Sequence, residues 1–326
     1  MGALRLGLFA SLTVGLLLGQ QLTLEPAKQF GSSITGAIEG WFDNADGSHS
    51  FLVGYLNRNR SQAIDVPIGP NNHLDPGGPD MGQPTHFLPG RQWGVFIVTV
   101  PKDFGPEQRI TWSIIVNGQP TSIPLHLHPD YNISPFVDAS NNTPPVLRFE
   151  EHGPGIQGPI GTIAKAISRT TSVDKPLPIT VWVTDDMVYT SGTNQPLKEG
   201  RSPVTLEWTQ YRGTGTVTFD KAKPEFKKLP AEAGFSGEAT TNVKFSEPGE
   251  YLLQVTANDY SGVGGGGFQC CWSTAQVKVT VQPRRRRGRG MPRPYKGSGC
   301  LVGRGRTCPA QPGLSGRGSC EIGNSS

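Results

Sequence analysis

Between Phe245 and Val281 the chain carries two alternating segments on either side of a glycine-rich loop, and this pattern constrains the fold more than any other feature. Pro248-Gly249 is a turn signal. Beyond it Tyr251, Leu253, Val255 and Ala257 alternate with Glu250, Leu252, Gln254 and Thr256. A period of two places the first set on a buried face of a strand and the second on the opposite face. Asn258, Asp259, Ser261 and Gly262 end the strand with turn-forming side chains. After the glycines, Ala275, Val277, Val279 and Val281 alternate with Gln276, Lys278 and Thr280. Two such strands joined by a loop predict the closing hairpin of an antiparallel sandwich.

The same reading extends through most of the 326 residues. Ile34 to Gly40 and Phe51 to Tyr55 alternate around the turn Asp43–Gly47, and Asp65 to Ile68 is a short edge. GVFIVTV (Gly94 to Val100) and ITWSIIV (Ile110 to Val116) are strands, and Asn117-Gly118 turns the second into Gln119–Leu127. Later strands are expected over Ile160–Ser168, Leu177–Thr184, Val204–Tyr211, Thr214–Phe219 and Thr240–Phe245, with one helical turn in Pro224–Glu232. The 43 glycines and 29 prolines suit many short strands separated by turns. The fold class is therefore all-β: two consecutive antiparallel β-sandwich domains, residues 26–136 and 146–282, the second with seven strands. Residues 137–145, including DASNNTPP, form a linker by composition.

Three segments of the second domain occur in a telling order: LPITVWVTDD (Leu177 to Asp186), Leu206-Glu207-Trp208 with Gly213-Thr214-Gly215, and PGEYLLQVTANDYSG with VKVTV. Together they resemble an immunoglobulin-like domain of the PKD type over about Leu177 to Val281. The glycine loop with Cys270-Cys271 and the insertion between Asp186 and Val204 depart from that family. The resemblance implies an extracellular module that spaces, binds or supports, and it transfers no catalytic residue. The first domain resembles no named family.

The two ends differ from the body. Residues 1–20 hold Arg5 and then an apolar run of thirteen residues, Leu6 to Leu18, which reads as a signal peptide. A membrane span needs about 20 residues. Membrane contact is expected only if the segment stays uncleaved, and a secreted, periplasmic or cell-envelope location follows either way. The tail, 283–326, has ten Lys and Arg against one acidic residue, whereas the rest has 20 basic and 25 acidic. With almost no large hydrophobe the tail is expected to be disordered. It reads as a nucleic-acid segment, as a binder of anionic surfaces, or as the product of a shifted reading frame; the abrupt change after a finished strand favours the last. Nucleic acid is an unexpected partner for an exported chain.

Candidate chemistry is sparse. His126 and His128 lie two apart in LHLHPD, a spacing that would share one strand face, and with His86 or Asp130 they could take zinc or copper. The plainer reading is a polar edge. Asp185 and Asp186, with Asn258 and Asp259, close two strands; if those ends adjoin, their oxygens suit Ca²⁺. They are also ordinary strand terminators. Asp43, Asn44, Asp46 and Gly47 read better as a turn than as a calcium loop. Cys270 and Cys271 are expected on opposite faces rather than bonded to one another. The loop Gly69–Arg91, dense in polar residues, is either a binding surface or a cover for an open sandwich end. No G-x-S-x-G elbow or HExxH helix appears.

These observations favour an exported, non-catalytic binding or structural module whose partner is an envelope or extracellular protein or a carbohydrate. The alternative is a secreted metal-dependent protein or enzyme using the 69–91 loop with His126 and His128.

Overall fold

Alternation becomes pairing in the computed structural model of the chain, which describes residues 28–159, 161–188, 202–259 and 270–284. The signal-peptide segment, the tail from residue 285 and the glycine loop at 264–267 lie outside the described residues. Among the described residues no helix is long and apolar enough to cross a membrane.

The first sandwich uses β1 (Ile34–Asp43), β2 (His49–Asn57), β3 (Ile64–Asp65), β4 (Asn72–Asp75), β5 (His86–Phe87), β6 (Gly90–Val100), β7 (Ile110–Val116) and β8 (Gln119–Leu125). One antiparallel sheet has the order β1-β2-β6 and the facing sheet β4-β7-β8, with β3-β5 as a small pair. Asn117 and Gly118 both hold the left-handed conformation (φ 52° and 73°). The two-residue hairpin turn of a right-twisted pair requires this, and it sets Val116 opposite Gln119. Phe51, Phe87, Phe96, Trp112 and Tyr55 fill the space between the sheets. The Phe96 and Tyr55 rings meet Trp112 and Phe87 edge-on, each with centroids 5.0 Å apart.

The second sandwich uses β9 (Val146–Arg148), β10 (Ile156–Gln157), β11 (Ile167–Ser172), β12 (Leu177–Asp185), β13 (Val204–Arg212), β14 (Val217–Phe219), β15 (Lys227–Lys228), β16 (Phe235–Phe245), β17 (Gly249–Asp259) and β18 (Trp272–Gln282). Its sheets are β10-β9-β12-β16-β14, with β15 on β16, and β11-β18-β17-β13. The expected closing hairpin is present, with Gly249 opposite Val281 and Asn258 opposite Trp272.

Several expectations need correction. β11 runs parallel to β18, so the sandwich is not wholly antiparallel. The strand expected over Ile160–Ser168 is a 3₁₀ turn at Ile163–Lys165 followed by β11. β15 occupies part of the span expected to turn helically. Counting its short strands, the second sandwich has ten among the described residues, not seven.

The two sandwiches belong to one compact unit, and the strand pattern explains how. The inward column of β17, Tyr251 to Ala257, lies in the second core, but Leu252 from its other face is buried in the first. Tyr211 of β13 joins it there, as do Ile163 and Ala166 at the margin. β18 shows the same division. Thr274 and Gln276 are buried at its beginning, while Lys278 and Thr280 on the same face are exposed further along. The outer face of this sheet is therefore half covered by the first sandwich. Gly94 makes the closest approach: a Cβ there would stand 2.4 Å from the Trp272 ring, and its φ of +49° already favours glycine.

Candidate functional site

The loop Gly69–Arg91 is a seam rather than a free surface. Asn72 is fully buried, donating to the Val66 and Pro84 carbonyls (2.9 and 2.8 Å) and accepting from Trp112 Nε1 at 3.0 Å. Further along, Asp80 accepts two bonds from the Arg212 guanidinium at 2.9 and 2.8 Å, and Arg212 also donates to the Gln83 carbonyl. The Tyr211 hydroxyl donates to the Gly82 carbonyl, and the Thr85 amide donates to the Tyr211 carbonyl at 3.2 Å. Arg212 hydrogen bonds hold the Asp80 carboxyl below the usual carboxylate range, against partial burial. Of the polar side chains in this loop, Asp80 bonds across to the second sandwich together with the loop backbone at Gly82, Gln83 and Thr85, while Asn72 braces the first sandwich.

The histidines divide into two places. His86 on β5 pairs with Asp65 (Nδ1 to Oδ1, 2.7 Å). It lines a cleft of 280 Å³ between the sandwiches with Arg91, Trp93 and Gln210. His126 and His128 lie just beyond β8, not on a strand. Their rings are 5.8 Å apart and both contact Tyr131. His128 Nδ1 accepts from the Asp130 amide at 3.2 Å, and its carbonyl accepts from Trp41 Nε1 at 2.7 Å. Desolvation, the Arg109 charge and His128 hold the His126 imidazole below its usual range. Among the described residues no group of three His, Cys, Asp or Glu side chains is placed to hold a metal ion. The geometry gives these histidines turn-forming and packing roles.

A different constellation gathers where the linker meets the second sandwich. Ile179, Val181, Val183 and Asp185 are the buried positions of β12, and Tyr251, Leu253, Val255, Ala257 and Asp259 are a buried column of β17. The facing sheets therefore each end an apolar column in a carboxylate. The linker closes over them. Asn142, fully buried, donates from Nδ2 to Asp259 Oδ2 at 2.8 Å. Thr143 donates to Asp186 Oδ2 through its amide (3.0 Å) and hydroxyl (2.6 Å). The Pro145 carbonyl accepts from Ser273 Oγ, and the Asn142 carbonyl packs 3.5 Å from Cys271 Sγ. The segment read as a linker by composition is docked against the second sandwich.

Electrostatics set this end apart. Burial pushes the Asp185 carboxyl up to about 7, opposed by the Met187 amide that Oδ1 accepts at 2.9 Å. The charges of Asp259 and Asp186 push the same way as burial. Asp185 Oδ2 and Asn142 Oδ1 are buried with no hydrogen-bond partner. Asn258 Oδ1 is also unpartnered, but strand alternation turns that side chain to the opposite face from Asp259. The four residues singled out at the two strand ends therefore do not all converge: Asp185, Asp186 and Asp259 share one neighbourhood, and Asn142 replaces Asn258. A position in the linker carried no signal for this role, because only the docking of residues 138–145 brings it to the sandwich end.

Next to this end, Cys270 and Cys271 are bonded to each other and buried. The expectation of two thiols on opposite faces assumed a trans strand. The peptide between them is cis and their Cα atoms are 3.1 Å apart. The Asp43–Gly47 segment is a turn, as expected: the Asn44 amide donates to Ser48 O and Asp46 accepts from Ser48.

No family model and no curated protein matches the chain. Among solved structures it is similar to the D00-D0 domain of intimin, at 12% identity and a TM-score of 0.22, covering 76% of this chain and 100% of that one. It is similar to a protein of unknown function from Porphyromonas gingivalis W83 at 9% identity and a TM-score of 0.22, with 76% and 100% coverage. A third is domains 4 and 5 of the S-layer protein SbsC, at 14% identity and a TM-score of 0.21, covering 57% and 70%. Likeness at this level identifies no family.

Proposed function

We propose that the chain is an exported, non-catalytic structural or binding module of the cell envelope or extracellular space, with a PKD-type second sandwich. The observation that carries this reading is the seam. Leu252 and Tyr211 of the second sandwich are buried in the core of the first, and Arg212 is bonded to Asp80 and Gln83. Two domains sharing apolar core act as one rigid element, the property a spacer or a presenting scaffold needs. The Cys270–Cys271 disulfide supports export, since such bonds persist in oxidising compartments. The cleft lined by Trp93, Arg91 and Gln210 offers an aromatic and polar surface to a protein or carbohydrate partner.

Two experiments test this proposal. A fusion of residues 1–30 to a reporter active only outside the cytoplasm should give signal; a silent reporter contradicts export. Small-angle scattering should fit a single fixed arrangement of the two sandwiches and change on Tyr211→Ala substitution. A profile requiring many inter-sandwich arrangements in the unsubstituted protein contradicts the rigid module.

A further inference from the structure

We propose that the linker end of the second sandwich is a calcium site in which Asp185, Asp259 and the side-chain oxygen of Asn142 are protein ligands and Asp186 adds charge from beside them. The argument begins with position. Asp185 and Asp259 stand where the apolar columns of β12 and β17 would continue, so each carboxylate is carried inward by its strand. Asp185 is 7% exposed and Asn142 fully buried, and each holds one side-chain oxygen with no partner. Buried polar atoms in native proteins are nearly always bonded, and an unmet oxygen points to a bound ion or water. Leaving one unmet costs about 1–3 kcal/mol. Two such oxygens, one of them on Asp185 itself, beside the carboxylates of Asp259 and Asp186 make a site that favours a cation.

The chemistry selects the ion. Every side chain offered is a hard oxygen donor, and no histidine or thiolate stands among them, which disfavours zinc and copper. Asp185 and Asp186 form no ion pair with Lys or Arg among the described residues, so no cationic side chain there neutralises them. Calcium takes about six to eight oxygens in irregular geometry, mixing carboxylate, amide, backbone and water ligands, whereas magnesium demands a near-ideal octahedron. The carboxylates alone do not form a cage; the amide of Asn142 and water complete the set. A groove lined by Thr143, Asp185 and Asp186 opens the site to solvent. Because Asn142 belongs to the linker while Asp185 and Asp259 belong to facing sheets, one ion would tie all three segments together.

The test uses the full chain, stripped with chelator and then titrated with Ca²⁺ or Mg²⁺ by calorimetry and by thermal unfolding. Ca²⁺ should bind once per chain and raise the unfolding temperature, because a ligand that binds only the folded state stabilises it. Asp185→Asn and Asp259→Asn should each weaken Ca²⁺ binding by about tenfold or more. Without calcium, Asp185→Asn should be at least as stable as the unsubstituted chain, since it removes a buried charge while keeping shape; a purely structural Asp185 predicts a loss instead. Asn142→Ala, which removes the buried amide oxygen, supplies a second line of evidence by weakening Ca²⁺ binding. The proposal is overturned if the unsubstituted chain takes up no Ca²⁺ at about 1 mM, where weak extracellular sites fill. It is also overturned if Mg²⁺ binds equally well, or if both Asn variants keep full affinity.

Discussion

The Arg212 guanidinium at the seam and the Asp185 carboxylate at the linker end are both charged groups that the second sandwich draws away from water. Arg212 spends its donors on Asp80 and on the Gln83 carbonyl. Asp185 accepts one amide and leaves its other oxygen unmet, with two more carboxylates nearby. The seam is complete as it stands, and its polar groups fix how two apolar surfaces meet. The linker end is complete only with something added. Burial of a charge alone therefore does not distinguish structure from function; whether its partners are present does.

The largest effect should come from cutting into the shared core. Tyr211→Ala empties a buried position between the sandwiches and should cost about 3–5 kcal/mol in chemical denaturation. A loss confined to the second sandwich, detected by separate probes in each, would mean the seam is weaker than its packing implies. Gly94→Ala should cost about 2–4 kcal/mol, because the added methyl meets the Trp272 ring and the backbone there is left-handed. Arg212→Ala removes the clamp but leaves Asp80 half exposed, so a smaller loss of about 1–2 kcal/mol is expected.

The smallest effect is the pH dependence of that clamp. Arg212 holds the Asp80 carboxyl below its usual range. A group whose folded pKa is depressed contributes stability above its unfolded pKa, and that contribution is lost as pH falls through the folded value. The stability gap between the parent chain and Arg212→Ala should therefore be flat from neutral pH down to about 5 and narrow below about 4. A gap that widens in acid would contradict the pairing. At the linker end, calcium should have no effect on the Arg212→Ala gap, because the two constructions share no residue.

Local pattern made much of the fold legible. β6, β7, β12, β17 and β18 follow directly from alternation, and the Asn117-Gly118 hairpin from its turn chemistry. What escaped was long-range. Leu252 sits on the face of β17 that alternation assigns to solvent, and it is buried because another sandwich covers it. Tyr211 and Gly82 are 129 residues apart, and nothing local announces their bond. The polar loop looked like a binding surface because polar side chains serve a seam and a ligand equally well. At the linker end the strand-terminal Asp185, Asp186 and Asp259 were legible as candidate ligands. Asn142 was not, because small polar residues beside prolines have the composition of a free linker.

One calorimetric experiment on the whole chain bears most directly on this account. Scanned with chelator and again with Ca²⁺, the two sandwiches should unfold in a single cooperative transition in both cases, at a higher temperature with calcium. Two separable transitions would contradict the welded seam, and an unmoved transition would contradict the cation at the linker end.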